Sequence, residues 1–137
     1  MLKTPESVLR NALISDAAVT QHIGHRVLYD LAGSEDSLPF INYRRADISR
    51  EQTLAFPMGV PRVSVEFTIY ATTRLESRQI ADEVRRVLDG FGGSFDNTTV
   101  KQTSLESESD EVITLDGSEL PGVYAVTQTY DIWWQET

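Results

Sequence analysis

The sequence contains no cysteine, which excludes disulfides, thiolate catalysis, zinc fingers and iron–sulfur clusters together and fits a reducing compartment. It has no apolar run approaching the length needed to cross a bilayer, so no membrane contact is expected. The opening MLKTPESVLRNALIS lacks the basic start, apolar centre and small-residue cleavage site of a signal peptide, and the simplest expectation is a soluble cytoplasmic protein. Basic residues are also missing from the last quarter. Lys101 is the final one, while Glu106, Glu108, Asp110, Glu111, Asp116, Glu119, Asp131 and Glu136 follow it, within a formal net charge of −9. That asymmetry speaks against a nucleic-acid-binding surface spread over the whole domain. By itself it needs no more than a solubilising role.

The familiar signatures of chemistry are absent too. His22 and His25 in HIGH are spaced for one helix face, but Gly24 lies between them and no third ligand stands nearby, so a surface loop end is the better reading. LDGFGGSFDN is glycine-rich but follows a helix where a phosphate loop opens one, and its acids do not match a calcium loop. No serine sits in Gly-x-Ser-x-Gly. Glu66 and Asp131 mimic an acid pair only if their strands are neighbours, as chance arranges in any antiparallel sheet. Tyr43-Arg44-Arg45 interleaves an aromatic with arginines as single-strand binders do, but one triplet is equally well met by an acidic protein surface. We expect no enzyme activity, no cofactor and no metal.

What is present is one domain's worth of chain, 137 residues with 40% apolar content, read as a single domain over 1–137. Thr4-Pro5-Glu6 starts a short amphipathic helix, and Asp16 caps a second helical turn that Gly24 ends. Strands are expected at 26–31 and from Phe40 to Ile48. RVSVEFTIYAT (62–72) alternates cleanly, with Val63, Val65, Phe67 and Ile69 on one face. A helix follows, capped by Thr72 or Thr73, with Ile80, Ala81, Val84, Val87 and Leu88 as its buried stripe and Gly90 at its left-handed end. Beyond it we read FGGSFDNT as loop, 99–107 as a strand, SESDE as an acidic turn, VITLD as another strand and 123–134 as the last. The order predicts an α+β domain with a mixed, mostly antiparallel sheet and helices packed on one face.

Two features point outward. Trp133 and Trp134 are adjacent on a strand and must face opposite sides, so one is core and the other is covered by the same chain or by a partner. Leu54, Phe56 and Met58 place apolar side chains in the loop REQTLAFPMGVP, where a polar tip would be expected; they tuck back onto the domain or pack on a neighbour.

SDAAVTQHIG-HRVLYD, then LPFINYRRAD, then VSVEFTIYATTRLESRQIADEVRRVLDG, then YAVTQTYDIWW form an ordered pattern. In element order and spacing the whole chain resembles the tail-terminator (tail-completion) proteins of long-tailed bacteriophages and prophage-derived particles, a family without a catalytic signature. The resemblance implies a mixed α/β fold and a structural virion protein at the head-proximal end of the tail, assembled in the host cytoplasm. It implies a ring, typically a hexamer, that ends tail-tube polymerisation and offers a surface to the head connector or stopper. DNA would pass through its lumen without specific binding. Its partners would be itself, the tail-tube protein and the connector. On that basis Arg44, Arg45, Arg50, Leu54, Phe56, Met58, Arg78, Arg85 and Trp133 are expected at subunit or tube interfaces. Glu106, Glu108, Asp110 and Glu111 are expected to face the channel or tube end. Another neck protein (head-completion or stopper), a small ligand-binding domain and a non-phage adaptor stand as alternatives.

Overall fold

The computed structural model describes residues 5–29, 38–49, 62–95, 98–113 and 123–136. Three helices, α1 (Pro5–Ile14), α2 (Ala17–Ile23) and α3 (Arg74–Leu88), accompany six strands: β1 (Val27–Tyr29), β2 (Phe40–Ser49), β3 (Arg62–Ala71), β4 (Gly93–Phe95), β5 (Thr98–Ile113) and β6 (Val123–Glu136). The expected cap Thr4 lies outside the described residues; Pro5 takes the first position of α1, where its missing N–H costs no hydrogen bond. Asp16 caps α2, its Oδ1 accepting from the Ala18 and Val19 amides, and Gly24 ends that helix at φ 60°. Arg86 donates to the same Asp16 oxygen at 2.7 Å. That bond, reinforced by the two capped amides and opposed by desolvation, holds the Asp16 carboxyl below its ordinary pKa.

The unit from β3 to α3 forms as its periodicities require. β3 alternates between half-buried and buried residues along its whole length. The turn is set by Thr73, whose hydroxyl accepts from the Glu76 amide at 3.1 Å. Ser77, Ile80, Ala81, Val84 and Leu88 are buried on one side of α3, and Val87 packs at the core margin. Gly90 adopts φ 81° and its N–H donates to the Thr103 carbonyl, so the left-handed end of α3 docks directly on β5.

The strands form one sheet in the order β1-β2-β3-β6-β5-β4. Among the described residues β1 and β2 pair in parallel and the other pairings are antiparallel, as an α+β domain with a mostly antiparallel sheet requires. The helices supply Leu9, Leu13, Val19, Ile23, Ile80 and Leu88 to a core against Val65, Phe67, Ile69, Val126, Tyr130 and Ile132 of the two central strands. Phe67 stacks on Tyr43 with ring centroids 5.6 Å apart and meets Tyr130 edge-on at 5.8 Å.

Two sequence readings are corrected. SESDE is not a turn: residues 107–111 lie in the middle of a single 16-residue strand, β5, and Val112 and Ile113 of the expected VITLD strand are its end. The glycine-rich stretch after α3 is not all loop either, because Gly93–Phe95 pairs with Thr98–Val100 as β4. The two errors offset each other, so the strand number is unchanged. Acidic residues are poor strand formers in isolation; here β6 supplies the ladder, and bulges at Val100/Gln102 and Leu105/Ser107 absorb the irregularity.

Candidate assembly surfaces

On the helix-covered side, β5 carries Glu108 and Asp110 toward α3. Glu108 lies opposite Gln128 and Asp110 opposite Val126, on the face of β6 that packs inward. Arg78 on α3 donates to Glu108 at 2.9 Å and to Asp110 at 3.2 Å, and also approaches Asp82 at 3.5 Å. Those contacts, the Glu108 hydrogen bond above all, raise the already high pKa of Arg78, so its charge is permanent. Behind Glu108 the polar chain continues inward. Its Oε2 accepts from the Gln128 amide at 2.7 Å, the same amide donates to the Ala81 carbonyl, and Gln128 Oε1 accepts from the buried Tyr130 hydroxyl. Burial pushes the Tyr130 phenol well above its ordinary pKa, so it remains a donor. Arg74 completes this side: it stacks over the Tyr124 ring and donates to the Ala125 and Glu111 carbonyls.

The other side of the sheet has no helix on it among the described residues. There Arg44 pairs with Glu66 at 3.0 Å across β2 and β3. Asp131 is held by Arg62 at 2.8 Å and by the Ser64 hydroxyl at 2.6 Å. Thr68 and Thr127 hydroxyls meet at 3.3 Å. Glu66 and Asp131 share this face diagonally, each with its own arginine, so they do not form an acid dyad. Trp134 points inward and is buried; Trp133 lies on the open side, half-buried, opposite Arg62 and Gln102.

The expected interface arginines therefore divide. Arg44 and Arg85 are exposed, Arg85 standing 4.0 Å from Asp89. Arg45 instead turns inward to make a two-pronged contact with Glu6 of α1, both bonds at 2.9 Å. Of the four acids, Glu108 and Asp110 are matched by Arg78, whereas Glu106 and Glu111 are exposed without an ion-pair partner among the described residues. Arg50, Leu54, Phe56 and Met58 lie outside the described residues, as do Asp116 and Glu119. Sequence reasoning missed Glu6, Arg62 and Arg74. Gln128 left a visible signal, a polar residue in the inward register of an otherwise apolar strand face.

Nothing among the described residues groups three or more His, Asp or Glu side chains for a metal. The depression lined by Gln21, His22, Gln79, Asp82 and Glu83 is shallow and polar. Among the described residues no helix is long and apolar enough to cross a membrane. Among the described residues the polar side chains are organised into cross-strand and helix-to-strand ion pairs and the Glu108–Gln128–Tyr130 hydrogen-bond chain.

A family model described as "Tail completion protein gp17" matches residues 7–134. The chain belongs to this tail completion family and is a phage tail structural protein. No curated protein is similar enough in sequence to count as a match. A solved structure titled "Virion of native gene transfer agent (GTA) particle" contains a chain of the same fold, with TM-score 0.71 at 11% identity, covering 92% of this chain and 90% of that one.

Arg78→Ala is expected to cost about 0.5–1 kcal/mol at low salt and less as salt rises, because Arg78 and Asp110 both reach solvent and are screened. Urea denaturation at two ionic strengths checks this, and a salt-independent loss would contradict it.

Proposed function

We propose that this protein forms a ring, a hexamer on the family's pattern, at the head-proximal end of the phage tail tube. The ring ends tube polymerisation and presents the joining surface for the head connector or stopper. Membership of the tail completion family over residues 7–134 is the observation that carries this reading. The charge arrangement supports it. DNA crossing a ring must slide, and cationic side chains that neutralise phosphates hold DNA by releasing counterions. Among the described residues Arg45, Arg62, Arg74 and Arg78 are engaged within the chain. Glu106 and Glu111 make no ion pair among the described residues and are the acids we assign to the channel or tube-end surface. Arg44, Arg85 and Trp133 are assigned to contacts between subunits, and the 50–61 segment, with Arg50, Leu54, Phe56 and Met58, to a neighbour or to the tube.

Co-sedimentation with purified tail tubes and, separately, with portal-bearing heads tests the placement. Binding to tubes is the expected result. Binding to heads alone would make the protein a head-completion or stopper component instead.

A further inference from the structure

Both long edges of the sheet are only partly covered. On one side β1 pairs with Ile41–Tyr43, and β2 continues to Ser49 with no strand beside it among the described residues. On the other side β4 pairs with Thr98–Val100. The turn ending α3 then caps the edge of β5, with the Gly90 amide on the Thr103 carbonyl and Asp89 accepting from the Leu105 amide. From Glu106 to Val112 no strand flanks β5 among the described residues, and every one of these residues is exposed. An open edge of this length invites pairing with another chain.

Charge disfavours one partner, and strand direction selects another. In the open part of β5, Glu108 and Asp110 are held by Arg78, but Glu106 and Glu111 make no ion pair among the described residues, so two such edges meeting in a two-fold dimer would set acid against acid. The open part of β2 carries Arg44, exposed beside Glu66, Arg45, taken up by Glu6, and one acid, Asp47. It opposes the β5 acids with less negative charge than a second β5 would. β2, β3, β6 and β5 alternate in direction, so β5 runs opposite to β2. Rotation about an axis running along the strands preserves direction, and β5 of one copy would then meet β2 of the next as an antiparallel pair.

We propose that the Glu106–Val112 edge of β5 pairs with the Arg44–Ser49 edge of β2 in the next copy, joining the sheets of neighbouring subunits into one closed wall. This inference rests on the ring reading and specifies its interface. The register sets the geometry. Asp47 is level with Ser64, and Ser109, through Thr127, is level with Thr68, so the two open edges are offset by four residues along β3. That offset is ~13 Å at ~3.3 Å per residue, over a four-strand width of ~19 Å. Matching the edges in a ring therefore needs the strands to tilt about 35° from its axis, within the range of closed barrels.

The absence of cysteine makes the test clean. Ala46→Cys and Ser109→Cys, both at exposed positions, are placed in one chain, which is bound to tail tubes and treated with a short bis-maleimide. A ladder of covalent multimers is expected from the double variant, and only monomer from either single variant. A protein that sediments with tubes as a multimer yet gives no ladder would overturn the edge pairing and leave the ring reading standing. Crosslinked dimers from Ser109→Cys alone would overturn it in favour of β5-to-β5 contact. A chain that never assembles on tubes would overturn the ring, and the pairing with it.

Discussion

Arg45→Ala is expected to destabilise the fold by about 3 kcal/mol, the low end for removing one partner of a buried ion pair. Glu6 is 1% exposed and receives two bonds from Arg45, which is itself 32% exposed. Deleting the arginine strands a carboxylate that cannot reach water. Deleting the acid leaves a guanidinium that can, so Glu6→Ala should cost less, on the order of 1–2 kcal/mol. Replacing both with apolar residues of similar volume, as in Glu6→Leu with Arg45→Met, should recover most of the loss. Urea midpoints with unchanged slope would measure each value. Equal losses for the two single variants would mean the site admits water and the asymmetry is wrong. The pair also ties α1 to β2 across 39 residues of sequence, so hydrogen exchange in α1 should rise in Arg45→Ala before the rest of the domain opens.

Phe67→Ala is expected to cost about 4 kcal/mol, the central value for emptying a buried aromatic site. Phe67 is fully buried at the middle of β3, with Tyr43 stacked on one flank and Tyr130 edge-on at the other. Both neighbours are held: Tyr130 by its hydrogen bond to Gln128, and Tyr43 by its place in β2. Little collapse into the cavity is therefore available, and truncation loses both the transfer free energy and the ring contacts. Phe67→Leu, which keeps most of the volume, should cost about 1 kcal/mol. A thermal or urea transition for Phe67→Ala within 1 kcal/mol of the parent would show that the core relaxes around the site.

The sequence made the β3–α3 unit readable because its periodicity changes from two to 3.6 at Thr72–Thr73, with a capping hydroxyl at the change. β6 was readable for the same reason, including the opposite facing of Trp133 and Trp134. β5 was not. In SLESESDE both alternating classes are polar, so neither face announces itself, and only pairing with β6 defines the strand. Ion pairs were legible when local and obscure when distant. Arg78 and Asp82 stand four apart on α3, yet Arg78 lies closer to Glu108 and Asp110 of β5. Arg86 also stands four from Asp82, but it binds Glu83 and the distant Asp16. Glu6 belongs by sequence to a helix start, where an acid suits the positive helix end; its partner, Arg45, lies on a strand that only the tertiary fold brings to it.

Whether the protein caps a growing tail tube is decided by electron microscopy of tail-tube protein polymerising with and without it. Capping should give shorter tubes, each carrying a ring of density at one end only, with a ring mass several times that of the 15.4 kDa chain. Unchanged tube lengths with bare ends would contradict it.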